Sequence, residues 1–151
     1  METTKQVSVF LENKPGRLAN VLSALAREKV NITALTVMDS HEHSVLRFVT
    51  DHPAKTHEVL RGLGTRHVEA DVLVVELRNQ PGALAHVCET LAAGHINVDY
   101  AYCSSGGRNG KVYGIFKVSN LEKAQRVLNG SPNDRRIQKR VVRDQRIYKK
   151  T

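Results

Sequence analysis

The chain has 151 residues, 40% hydrophobic and 25% charged, which is ordinary for a globular protein and enough for one domain or two very small ones. No apolar run approaches the roughly 20 residues of a membrane span, and Met1-Glu2-Thr3-Thr4-Lys5 lacks the basic and apolar regions of a secretory signal, so the cytoplasm is the expected compartment. The net charge of +8 is localised: from Asn129 onward eight Lys or Arg against two Asp give +6, which leaves the first 128 residues at +2.

In chain order, Val7, Val9 and Leu11 alternate with Ser8, Phe10 and Glu12, the period-2 pattern of a strand that ends at Asn13-Lys14-Pro15-Gly16. Leu18, Val21, Leu22 and Leu25 then follow helical spacing, with Pro15 near the first turn, where a missing N–H costs nothing. Asn31 to Met38 favours strand, Ser40 to His43 reads as a turn, and Val45 to Thr50 is a further strand. Pro53 can open a helix whose apolar side carries Val59, Leu60 and Leu63, with Gly62 and Gly64 ending it. Arg66 to Leu77 is one long β-favouring stretch.

The same pattern then returns. Asn13-Lys14-Pro15-Gly16-Arg17-Leu18-Ala19 recurs 66 positions later as Asn79-Gln80-Pro81-Gly82-Ala83-Leu84-Ala85, and Val30-Asn31-Ile32 recurs as Ile96-Asn97-Val98. Five identities in seven at one displacement mark a duplication. Beyond residue 110 the displacement becomes 68, Phe48 meeting Phe116, so two residues entered within Ser104 to Gly110, as expected of a hairpin loop. Each copy reads β-α-β-β-α-β, the ferredoxin-like split unit, with two helices on one face of an antiparallel sheet. The expected organisation is a first module over residues 1–70, a second over 71–142 and a basic tail over 143–151. A unit of about 65 residues is marginal alone and leaves open sheet edges. The expected fold is therefore α+β, two tandem modules paired into one extended antiparallel sheet with four helices packed on it.

A strand, then Asn-x-Pro-Gly-x-Leu, then a helix, then aliphatic-Asn-aliphatic, resembles the ACT domain, a small-molecule-sensing module. The resemblance covers about Lys5 to Asn129 and occurs twice in register. Two such modules without a catalytic domain are similar to stand-alone tandem ACT proteins, which implies a non-catalytic, amino-acid-binding regulatory protein acting on itself as a homodimer or on a metabolic enzyme. The matching Asn positions contact effector amino acids at the seam between two ACT modules. This nominates Asn13, Gly16 and Asn31 and, in the second copy, Asn79, Gly82 and Asn97. Pro15, Arg17 and Leu18, and Pro81 and Leu84, line the same two turns.

The chemistry of such a turn can be argued independently. A strand turning sharply into a helix leaves the first amides of that helix unpaired, and with the helix dipole they favour an anion such as a carboxylate. Glycine removes the Cβ that would hold a ligand off the backbone. Lys14 and Arg17 make the first turn the more anion-friendly. The bland alternatives are that Pro-Gly is good turn chemistry anywhere and that Asn after a helix serves as a C-cap.

Other features carry less. Cys88 and Cys103 read as small reduced core residues, Cys88 taking the place of Leu22 on an apolar helix face. His41-Glu42-His43 lacks a third partner, so no metal is expected, nor any cofactor. No nucleophile–base or phosphate-loop motif occurs. Lys111 to Val118 has a faint likeness to the aromatic strand of RNA-recognition folds, and the basic tail could contact nucleic acid. That contact, or a structural adaptor that binds no small molecule, is the alternative function. The tail should also supply the last strand of the second module.

Overall fold

Alternation along the first strand decides which of its sides meets the helices. In the computed structural model, which describes residues 1–40, 43–104 and 111–130, the elements in order are β1 (Glu2–Glu12), α1 (Arg17–Arg27), β2 (Ile32–Ser40), β3 (His43–Thr50), α2 (Pro53–Gly62), β4 (His67–Arg78), α3 (Ala83–Ala93), β5 (Val98–Cys103), β6 (Lys111–Val118) and α4 (Leu121–Asn129). The strands form one antiparallel sheet in the order β2-β3-β1-β4-β6-β5. Val7 and Val9 of β1 lie opposite Phe48 and Leu46 of β3, and all four point at α1 and α2 together with Val21, Leu25 and Leu60. Leu73, Val75 and Leu77 of β4 make the matching core under α3 and α4 with Val87, Leu91 and Phe116. Thr3 pairs with Leu73, so both cores occupy the same side of the sheet. All four helices therefore sit on one face, as the two repeats imply.

β4 joins the halves. Its first eight residues pair with β1 and its last six with β6, Leu73 and Val74 pairing on both sides, and no linker intervenes. Lys5 lies opposite Asp71, its own counterpart at the 66-residue displacement, so the pseudo-twofold axis of the molecule passes through that pair. The Lys5 ammonium meets the Asp71 carboxylate at 2.8 Å, and this contact raises the Lys5 pKa.

The sheet also curls away from its helices, bringing the two edge strands β2 and β5 into contact on the opposite, concave face. Ala34, Val49, Val72, Val74 and Ile115 are buried there in a third cluster, flanked by Tyr102 and Tyr113.

Several expectations need correction. Cys88 and Cys103 are exposed free thiols; the packed stripe of α3 runs through Val87 and Leu91 and leaves Cys88 one position round the helix, and Cys103 ends β5. Gly62 ends α2 from inside it, Leu63 is the exposed C-cap, and Gly64 at φ 65° makes the turn that follows. Pro15 precedes the Gly16 cap and lies outside the first helical turn. His41 and Glu42, residues 105–110 with the expected hairpin loop, and the tail from 131, with the expected last strand, lie outside the described residues. Among the described residues no helix is long and apolar enough to cross a membrane, and no group of three potential ligands converges on a metal position.

Candidate functional site

The two strand-to-helix turns are built alike. Gly16 and Gly82 both adopt φ 85° and ψ −13° and serve as N-caps without a side chain to bond the helix. An L-residue is strained at that φ, which is why glycine stands there. In each turn the first helical amide returns to the loop, Arg17 N–H to the Lys14 carbonyl and Ala83 N–H to the Gln80 carbonyl, both at 3.3 Å. The next amides, Leu18 and Ala19 or Leu84 and Ala85, have no intrahelical partner and face outward with the positive end of the helix dipole.

Asn13, Pro15, Gly16 and Arg17 are exposed on the first turn, as are Asn79, Pro81 and Gly82 on the second. The leucines divide: Leu18 packs half-buried against the first core, whereas Leu84 is 45% exposed. Asn31 and Asn97 are exposed beyond the helices. They are not C-caps, because the left-handed positions after α1 and α3 belong to Lys29 and His95, with Val30 N–H bonding Leu25 O and Ile96 N–H bonding Leu91 O. Each Asn instead ties the start of its strand to the segment before the next helix. Asn31 N–H donates to Asp51 Oδ1 at 2.9 Å and Asn97 N–H to Ser119 Oγ at 3.1 Å, while the Asp51 and Ser119 amides return to the Asn carbonyls. Asn97 Nδ2 also donates to Asp99 Oδ1 at 2.9 Å, so that side chain is already engaged.

One expectation fails outright: the two turns do not meet at the seam between modules. β1 and β4 are antiparallel with Glu2 opposite Val74, so Glu12 and Arg78 end at opposite extremes of the sheet, separated by roughly 45 Å of strand path at about 3.3 Å per residue. Nor does Asn31 approach Asn13 within a module. Ile32 is level with Thr50 and hence with the Lys5 end of β1, roughly 25 Å of strand from the turn.

The first turn does border a cavity of about 290 Å³ lined by Phe10, Glu12, Arg17, Asn20, Thr65 and Arg66 among others. Glu12 bonds Lys14 at 2.8 Å and Arg17 at 3.4 Å, and Lys14 above all holds its carboxyl below the usual range. The Arg66 guanidinium lies 5.2 Å from the centre of the Phe10 ring. Two arginines against one carboxylate give the mouth a positive bias while keeping one anionic pole. Sequence reasoning found Arg17 but missed Glu12, Asn20, Thr65 and Arg66, because the α2–β4 connection folds back against β1 only in three dimensions. A second groove of about 310 Å³ runs between α1 and α2, away from the free amides.

A family model described as an ACT domain pair matches residues 2–136. The crystal structure of a protein from Bacteroides thetaiotaomicron is similar with a TM-score of 0.77 at 33% identity, covering 84% of this chain and 87% of that one. The ligand-free regulatory subunit of aspartate kinase from Thermus thermophilus gives 0.62 at 14% identity, covering 85% and 96%. Its counterpart from Thermus flavus gives 0.57 at 16%, covering 85% and 94%. At those two identities the likeness is one of fold. No curated protein sequence matches the chain.

Proposed function

The chain belongs to the ACT domain family as a tandem pair of such domains, and from that premise we propose that it is a non-catalytic regulatory protein that binds an amino acid at the first strand-to-helix turn. The observation that carries this reading is the cavity along the first turn of α1, which brings two arginines, Arg17 and Arg66, and one carboxylate, Glu12, to a single mouth. A zwitterion needs both signs within one small site: Arg17 and Arg66 would take its carboxylate and Glu12 its ammonium. The volume, near the roughly 300 Å³ lower bound of small-molecule sites, suits a ligand of that size.

The second turn is the weaker candidate. It shares the backbone, but Ala83 replaces Arg17, Arg78 replaces Glu12, and Asn97 is tied to Asp99. Asn31 would join the first site only from another copy of the chain, because its own copy holds it at the far end of the module. A homodimer is thus part of the proposal, with ligand at the contact favouring the associated state. A metabolic enzyme is the natural target class, since the fold is shared with regulatory subunits of one. The modules are taken as residues 1–70 and 71–142, the shared strand β4 crossing the boundary.

Thermal melting with each common amino acid tests the reading. At a hundredfold excess over Kd, a true ligand is expected to add about 2.7 kcal/mol of stability, several degrees in Tm, and to do so saturably. Replacing Arg17 and Arg66 together by Ala should abolish that response while leaving the unliganded melt nearly unchanged, both side chains being exposed. A screen in which no amino acid stabilises the protein removes the proposal.

A further inference from the structure

The concave face holds a buried polar group that the turns do not involve. Gln6, fully buried on β1, donates from Nε2 to Tyr100 Oη at 2.7 Å and to Ser8 Oγ at 3.3 Å, and its Oε1 accepts from Tyr102 Oη at 3.0 Å. Arg47, the cross-strand neighbour of Ser8, lays its guanidinium 4.1 Å from the centre of the Tyr100 ring. Its Nη1 meets the Met38 sulfur at 2.9 Å, a weak acceptor, while its Nε is buried and has no hydrogen-bond partner among the described residues.

Counting protons shows an imbalance. Gln6 spends both amide protons and its carbonyl inside the group. Tyr100 and Ser8, having accepted from Gln6, each keep a hydroxyl proton to give, and Arg47 keeps Nε–H and its second terminal nitrogen. Donors thus outnumber acceptors around a cation, and a buried donor left unmade is costly. Burial pushes the Tyr102 phenol well above its ordinary pKa, so this hydroxyl remains a neutral donor to Gln6 and supplies no compensating negative charge.

The fold does not require this group. Through the pseudo-twofold axis Gln6, Ser8, Arg47 and Tyr100 correspond to Val72, Val74, Ile115 and Ala34, which close the equivalent seam without polar atoms. One backbone therefore supports a dry seam on one side and a donor-rich seam on the other.

We propose that the concave face is a second ligand site, in which Arg47, with the hydroxyls of Tyr100 and Ser8, binds the carboxylate of a small acid. The guanidinium fork matches a planar carboxylate, a single charge balances the single cation, and Met38, 47% exposed, marks the side open to solvent. The site differs from the turn site in residues, face and position along the sheet.

Sodium acetate, titrated against sodium chloride at matched ionic strength, is the probe. Tyrosine fluorescence is the local readout, because the chain has no Trp and three of its four Tyr lie on this face. The wild type is expected to respond saturably to acetate, and less to inorganic phosphate. Arg47→Met should weaken acetate binding at least tenfold without lowering the unliganded Tm, since it removes an orphaned donor and keeps an apolar stem over Tyr100. If Arg47→Met fails to fold, Tyr100→Phe supplies the same readout by deleting only the hydroxyl. The Arg17→Ala, Arg66→Ala double variant should retain the acetate response, which separates failure here from failure at the turn. No saturable response beyond chloride, a response that survives Arg47→Met or Tyr100→Phe, or phosphate binding more tightly than acetate overturns the proposal.

Discussion

Truncating Leu73 to Ala is expected to destabilise the whole protein by about 2–5 kcal/mol, a fall on the order of 10 °C in Tm. Leu73 is fully buried under α3 and α4, and it lies in register between Thr3 of β1 on one side and Phe116 of β6 on the other. A loss there loosens the second core directly and the ladder to the first at once. Both halves should then melt together. The check is hydrogen exchange followed separately in β3 and β6: protection in Leu73→Ala should fall by the same amount in both. Protection lost in β6 alone would mean that β4 joins two independently folding bodies.

The second large effect separates the backbone requirement of the turns from their ligand requirement. Gly16→Val and Gly82→Val both force a β-branched residue to φ 85°, and neither new Cβ would meet any atom within 4 Å. The cost is therefore conformational strain alone, about 1–3 kcal/mol, and should be equal in the two variants. Amino-acid binding should not be equal. Gly16→Val displaces Arg17, the next residue and part of the cavity wall, and is expected to weaken binding at least tenfold, ~1.4 kcal/mol or more, whereas Gly82→Val should leave it within about twofold. Calorimetric titration of the two variants side by side makes the comparison. Equal losses would move the site away from the first turn.

Much of the architecture was legible because duplication supplied each pattern twice. The Asn-x-Pro-Gly turns, the alternation of Val7, Val9 and Leu11 and the unbroken stretch into Leu77 each correspond to an observed element. Contacts that depend on pairing direction and curvature were not legible. Gln6 and Ser8 occupy the positions an alternating strand gives to solvent, and only the curl of the sheet covers them with Tyr100 and Tyr102. Two tyrosines at alternate positions of the short strand β5 were the one available hint. The separation of the two turns was hidden likewise, since it follows from the antiparallel register of β1 against β4. In the stretch Lys111 to Val118, with its faint likeness to an RNA-stacking strand, Phe116 is fully buried on the helix side.

The Lys5–Asp71 pair bears on how such a molecule can arise. Two separate identical copies joined about the same axis would oppose lysine to lysine or aspartate to aspartate, a repulsion directly across the ladder. Once both copies lie on one polypeptide, the position facing itself becomes two positions free to mutate apart, and attraction replaces a contact that symmetry had kept neutral at best. The join thus bears a mark of gene fusion that no assembly of equal subunits could write.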